Sequence, residues 1–163
     1  MIRVAIIDDL EQIVAINNQA IDAKFQTGFT ERFNPADKKD WLYGHIGTTY
    51  PLFVDIERDK IRGWFSVSPY REGRNAFRYS VEISYFIDKD HQQKGIGTQL
   101  VAHGLEACKR LGYKSVIAIL LDKNTGSIKL LEKFGFERWA FLPRVADFDG
   151  VLCDHLYYGK TIK

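Results

Sequence analysis

From Ile2 to Ile7 the chain is a short apolar run, IRVAII, and then the apolar positions stretch to helical spacing at Leu10, Ile13, Val14 and Ile21. The pattern predicts a buried strand followed by a helix that Asp8 or Asp9 caps. Between Ala23 and Pro35 the sequence is aromatic, polar and without period, which reads as a loop, and ADKKDWLYGHI after it reads as a short helix. YPLFVDI, ERDK and IRGWFSVSPY then form a hairpin signal, and AFRYSVEISYFID supplies a third strand after REGRN. Next come a helical stripe of Ile96, Leu100, Val101, Leu105, Cys108 and Leu111 that Gly112 ends, and KSVIAILL, apolar on both faces. A helix over TGSIKLLEKF, capped by Asn124 and closed by Gly135, leads to FERWAFLP and a last strand in VLCDHLYYGKTI. Strand, helix, strand around residues 80–121 implies a right-handed crossover and a parallel pair. The expected fold is an α/β mixed sheet, antiparallel at both ends, parallel in the middle and flanked by helices.

Composition narrows this picture more than it enlarges it. At 163 residues and 45% hydrophobic, the chain has the size and apolar content of one domain, 1–163. A net charge of +2 with scattered Lys and Arg gives no patch for a nucleic acid, and no apolar run has membrane length. Cys108 and Cys153 form no CxxC or Cys/His cluster, so they read as reduced structural thiols of a cytoplasmic protein. His45, His91, His103 and His155 lack metal-ligand spacing, and no metal is expected.

The chemistry concentrates in HQQKGIGTQL, residues 91–100, between a strand and an amphipathic helix. A helix start leaves amide N–H groups unpaired and carries partial positive charge, which suits an anion. Gly95 and Gly97 remove Cβ atoms that would hold a diphosphate away from the amides of Gln93 to Thr98, and Lys94 adds a cation. A lone GxG serves equally well as a tight turn or a close helix–sheet contact.

Gln92-x-x-Gly95-x-Gly97, followed by NTGSIKLLEKFGF, resembles the GNAT superfamily of acyl-CoA-dependent N-acyltransferases. The order FRYSVEISYFID, HQQKGIGTQL, AILLDKNTGSIKLLEKFGF and PRVADFDG is similar to its phosphinothricin acetyltransferase-like branch, whose members acetylate the α-amine of phosphinothricin, methionine sulfoximine and methionine sulfone. The resemblance implies acetyl-CoA as cosubstrate. Backbone groups of Tyr85, Phe86 and Ile87 would pair with pantetheine, Gln92, Gln93, Lys94, Gly95, Ile96, Gly97 and Thr98 would hold the pyrophosphate, and Asn124 and Ser127 would flank the cofactor. It also implies a homodimer, and Glu82 as the base that takes the ammonium proton, directly or through water.

The residues themselves are compatible with that chemistry. Strand alternation puts Ser80, Glu82, Ser84 and Phe86 on one face, and Glu82 is the only charge in YSVEISYFI. Partial desolvation would raise its pKa toward useful values, whereas a purely structural Glu82 would pair with Arg78. An oxyanion donor is expected at Phe86 or Ile87, where the resemblance implies that the central strands splay. Arg71, Arg74 and Arg78 offer cations for an acceptor carboxylate. Phe29, with Phe25 and Phe33, would wall an acceptor pocket, although core packing is expected for at least two of the three.

Three positions depart from the branch: Leu131 replaces a Tyr or His acid, Ile83 replaces a His, and GVLCD lacks a Trp. Tyr85, His155 or Tyr157 would then stand in for the acid, or the thiolate leaves unassisted or through water. The expected activity is acetyl transfer to the primary amine of a small amino-acid-like molecule by direct attack. The alternatives are a non-catalytic acyl-CoA-binding module, and an acetyltransferase for a peptide N-terminus or a polyamine.

Overall fold

The computed structural model of the chain is organised around two parallel strands, β4 (Ser80–Ile87) and β5 (Ser115–Leu121), at the middle of a seven-stranded sheet of order β1-β2-β3-β4-β5-β7-β6. All other pairs are antiparallel: β1 (Ile2–Val4), β2 (Leu52–Glu57) and β3 (Lys60–Pro69) on one side, β6 (Glu137–Phe148) and β7 (Val151–Thr161) on the other. The expected mixed sheet is therefore present, with its crossover helix α3 (Ile96–Arg110) joining the parallel pair. The remaining helices are α1 (Leu10–Ala23), α2 (Lys39–Tyr43) and α4 (Thr125–Lys133).

Each face of the sheet buries its own apolar stripe. Under α3, Phe65, Val67, Val81, Ile83, Val116 and Ala118 pack with Leu100, Val101 and Cys108 of the helix. Gly104 is required there, because a Cβ on it would lie 2.2 Å from the Phe65 ring. On the opposite face Ile13 and Ile16 of α1 and Leu42 of α2 pack with Leu52, Val54 and Trp64, and the Trp64 indole N–H donates to the Ile13 carbonyl at 3.1 Å. Burial of these side chains is the main stabilising contribution, roughly 1.5–3 kcal/mol for each large one.

Local expectations fail where a side chain finds a partner out of sequence order. The first strand stops at Val4 rather than Ile7, and the segment Ile7–Asp9 turns as a 3-10 helix. Neither aspartate caps α1 through its side chain: the Asp9 carboxylate accepts from the Ile6 amide at 2.9 Å and from both terminal nitrogens of Arg3 at 2.7 and 2.9 Å. Burial pushes the Asp9 carboxyl up, but the Arg3 and Ile6 hydrogen bonds and the Arg3 charge outweigh it and hold Asp9 below its usual range. Leu111 leaves the apolar stripe at 44% exposure, since α3 ends at Arg110. β6 runs on through PRVADF to Phe148, with register shifts between Arg138 and Ala140 and between Leu142 and Ala146.

The feature that matters most for function is where pairing stops. β4 and β5 are in register only from Ser80–Ser115 to Ile83–Ala118. Beyond that point Ser84–Ile87 stays on β3 while Ile119–Leu121 stays on β7, so a V-shaped gap opens between the central strands.

Candidate active site

The gap leads into a cavity of about 490 Å³ floored by the turn at residues 92–98. None of the six amides from Gln93 to Thr98 donates a hydrogen bond within the protein, and they crown a 15-residue helix. Six free donors in succession at a positive helix end form an anion cradle. Its shape depends on backbone that favours glycine: Gly95 caps α3 at φ +83° and Gln93 stands at φ +59°. Gly97 has another reason, since a Cβ there would meet Leu130 of α4 at 3.2 Å. The turn is thus both a cradle and a close helix contact.

Gln92, Gln93, Gly95, Ile96, Gly97 and Thr98 line the cavity, as do Asn124 and Ser127 across from them. Asn124 caps α4, its side-chain oxygen accepting from the Ser127 amide at 3.4 Å. Lys94 is absent from this lining. Lys94 turns outward and its ammonium donates to the Asp90 carbonyl at 2.8 Å, because the Gln93 and Gly95 conformations swing that side chain off the cradle. Lys24 and Lys123, from the loop after α1 and the β5–α4 turn, line the cavity instead. His91 lines it too, with Nδ1 2.9 Å from an Asp88 oxygen. His91 and Lys123 flank the quoted motifs without being motif positions and Lys24 lies far from both, so only the meeting of three turns brings them together.

Strand alternation decides which backbone groups face the gap. The Asp88 amide donates to Arg62 and the Tyr70 amide to the Ser80 carbonyl, so even-numbered residues of β4 direct their N–H and C=O groups to β3. The Tyr79 carbonyl accepts from Lys114 and Ser115, so odd-numbered residues face β5. Tyr85 and the Ile87 amide therefore present free backbone groups where β5 has departed, and the Phe86 amide does not. Of the two expected oxyanion donors, Ile87 is the one that faces the gap. The Ile87 carbonyl meets the Gln92 side chain at 3.5 Å.

Glu82 sits at the apex of the V, opposite Ile117 in the last paired rows. Its side chain is half-buried and makes no ion pair or hydrogen bond within the protein. Arg78 is engaged elsewhere, donating to the Asn75 carbonyl and stacking on Tyr79 at 4.5 Å. Burial raises the Glu82 pKa above the usual carboxylate value. A carboxylate raised in this way is a stronger base than an exposed one.

Leu131 is 1% exposed within the main core and lines no part of the cavity. Among the three stand-in acids, His155 and Tyr157 project from the sheet face that carries Glu82, whereas Tyr85 projects toward α4 and lines the cavity. The Tyr85 hydroxyl donates to the Ser127 carbonyl at 3.5 Å, and burial pushes its pKa up to about 12. It stays protonated at neutral pH and can donate a hydrogen bond.

Arg71, Arg74 and Arg78 gather around a second hollow of about 260 Å³ beside Pro69, separate from the cavity at the gap. Arg71 and Arg74 form no ion pair or hydrogen bond through their side chains, so both guanidinium groups are free. Of the three loop phenylalanines, Phe25 packs against the small core of Leu121, Phe148 and Cys153, and neither Phe29 nor Phe33 joins a core. Phe25 also lines the cavity at the gap and packs edge-on against Phe148 at 5.0 Å. Phe29, 56% exposed, packs edge-on against Phe33 at 4.8 Å, with the Lys38 ammonium 4.1 Å from the Phe33 ring centre. Asn18 holds this loop by two bonds to the Phe33 backbone at 2.8 and 3.0 Å.

Comparison with known proteins agrees with this geometry. The acetyltransferase (GNAT) family model matches residues 17–136. YwnH of Bacillus subtilis, named as a candidate phosphinothricin acetyltransferase, is 34% identical over 99% of this chain and 98% of its own. The phosphinothricin N-acetyltransferase of Streptomyces viridochromogenes is 28% identical, covering 83% of this chain and 73% of its own. The crystal structure of a phosphinothricin acetyltransferase from Sinorhizobium meliloti in complex with acetyl-CoA has a TM-score of 0.93 at 25% identity, over 99% of this chain and 88% of that one.

Proposed function

The chain belongs to the acetyltransferase (GNAT) family, and on that premise we propose that it transfers acetyl from acetyl-CoA to the primary amine of a small amino-acid-like molecule of the phosphinothricin or methionine sulfoximine type. The observation that carries this reading is the conjunction of six free amides at the mouth of the gap with an unpaired, partly desolvated Glu82 at its apex. The amides of Gln93 to Thr98 hold the pyrophosphate, with Lys24 and Lys123 supplying charge. Backbone groups of Tyr85 and Ile87 pair with the pantetheine arm, and Asn124 and Ser127 flank it.

Acetyl-CoA, when bound, supplies a thioester carbon to which the amine nitrogen bonds as the carbon–sulfur bond breaks. Glu82 takes the ammonium proton, directly or through water, freeing the nitrogen lone pair. The Ile87 N–H stabilises the charge that develops on the carbonyl oxygen. The Tyr85 hydroxyl donates a hydrogen bond to the departing sulfur, and the proton that the nitrogen sheds as the amide forms passes to the thiolate. Attack is direct: Cys108 and Cys153 are buried, and burial pushes the Cys108 thiol up to about 12, which removes it as a nucleophile.

Arg71 and Arg74 take the acceptor carboxylate, and Phe29 borders its approach. We read the chain as one domain, 1–163, of a cytoplasmic homodimer. Free thiols suit a reducing compartment, and the exposed Phe141, Leu142, Val145, Val151 and Leu152 of the β6–β7 hairpin suit a second copy. No helix is long and apolar enough to cross a membrane.

The test is CoA release from acetyl-CoA over a panel of amino acids, phosphinothricin, methionine sulfone, methionine sulfoximine, polyamines and short peptides. Saturable turnover with the amino-acid-like compounds is expected. Turnover confined to polyamines or peptides would replace the acceptor class, and binding of CoA without turnover would leave only a cofactor-binding module.

A further inference from the structure

The sheet face that carries Glu82 holds one large side chain in an unusual seat. In the register of the sheet Glu82 lies opposite Ile117, and Ile117 opposite Gly159. Side chains of such a row project from the same face. A Cβ on Gly159 would lie 2.0, 2.2 and 2.4 Å from Cε3, Cδ2 and Cζ3 of Trp139. The indole therefore occupies the place where any other residue at 159 would carry its side chain. The β6 register shift between Arg138 and Ala140 frees Trp139 from regular pairing and lays it across β7.

This row places an aromatic wall two strands from the carboxylate. Interstrand spacing of about 4.8 Å separates Glu82 from Gly159 by roughly 10 Å, the length of a small amino acid with its side chain extended. Ile117 lies between them, 8% exposed yet part of neither the core beneath α3 nor the core beneath α1. Trp139 is 48% exposed, so one side of a fixed indole remains open. Tyr157, one row further along β7, continues the same aromatic edge.

We propose that Trp139, seated on Gly159, is the specificity-determining wall of the acceptor site and selects primary amines that carry an apolar side chain. The inference rests on the acetyltransferase reading and deepens it. An ammonium at Glu82 directs the rest of a small acceptor along the Ile117 floor toward the indole, which offers apolar area and excludes water without touching the reacting atoms. Gly159 acts through Trp139 as a positioning residue, because any Cβ there evicts the indole.

The experiment compares wild type with Trp139→Ala, Trp139→Phe and Gly159→Ala on alanine-, norvaline- and methionine-like acceptors, reading kcat and KM separately. Trp139→Ala is expected to lower kcat/KM for the long apolar acceptors by about tenfold or more through KM, with little change for the smallest. Gly159→Ala reproduces that pattern although it removes no contact, and Trp139→Phe restores part of the preference. Acceptor binding in the presence of CoA, measured by calorimetry, reads the same preference without turnover. Loss of turnover on every amine with the binding preference intact would overturn the acetyltransferase reading and leave Trp139 as the wall. An unchanged side-chain preference in all three folded variants would overturn the present proposal and leave the acetyltransferase reading in place. Should Trp139→Ala fail to fold, Trp139→Phe and Gly159→Ala decide between the same outcomes.

Discussion

The two sides of the β4–β5 gap are built on different principles. On the side proposed for the cofactor the polar groups are backbone amides of one contiguous turn, Gln93 to Thr98, presented by a helix end and held by a single positive-φ glycine. On the side proposed for the acceptor they are side chains from distant strands and loops: Glu82 on β4, Trp139 on β6, Tyr157 on β7 and the arginines of the β3–β4 loop. Backbone donors serve any acyl-CoA, since every residue carries an N–H. Side chains can be exchanged one at a time, so the acceptor side is where specificity resides. The contrast predicts that substitutions on the acceptor side alter rate or selectivity, and that those in the turn alter cofactor affinity.

Glu82→Gln gives the largest effect. Turnover falls by about 10²–10⁴-fold while acetyl-CoA affinity, measured by calorimetry, stays near wild type. The wild-type rate climbs with pH through a carboxyl pKa above the usual range, because burial favours the protonated form and the base works only when ionised. The glutamine variant loses that limb, and a wild-type limb persisting in it would remove Glu82 from the mechanism. The linkage has a further sign. The folded state binds this proton more tightly than the unfolded one, so ionised Glu82 costs stability above the unfolded pKa, and the glutamine variant melts higher than wild type at pH 7.

Arg71→Ala with Arg74→Ala comes next. KM for an α-amino acid rises by roughly 10–100-fold, the worth of charge-assisted hydrogen bonds, while KM for the decarboxylated amine barely moves. An equal rise for both amines would show the loop arginines acting on something other than a carboxylate.

The two glycines of the turn sharpen the comparison from the other side. Gly95→Ala forces a Cβ onto φ +83°, a cost of about 1–2 kcal/mol, and weakens acetyl-CoA binding by about tenfold. Gly97→Ala only presses on the end of the Leu130 side chain, and the better helix propensity offsets that contact to within about 1 kcal/mol. Calorimetric titration with acetyl-CoA orders the pair, and equal losses at both positions would mean that steric access, rather than backbone conformation, governs the cradle.

What could be read before folding was whatever depends on neighbours in sequence. Helical and alternating periods foretold the order of strands and helices, and the glycine turn announced itself between a strand and a helix because its donors and its conformation are local properties. Glu82 stood out as the one charge in an otherwise uncharged strand, and its lack of any partner was a matter for the packed molecule.

Everything that converges from afar was decided by tertiary structure. The gap exists because β3 and β7 each keep their own neighbour after Ile83 and Ala118 part. Pairing parity makes Ile87, and not Phe86, the donor into that gap. Lys94 left the cradle because its own turn points it outward, while Lys24 arrived from a distant loop and Lys123 from the position just before Asn124. Trp139 gained its seat from a bulge and a glycine 20 residues apart, and Leu131 lost any place at the chemistry to the main core. The physical reason is one of range: amides, caps and periods are set within a turn or two of chain, whereas the meeting of side chains is set by register and packing across the whole sheet.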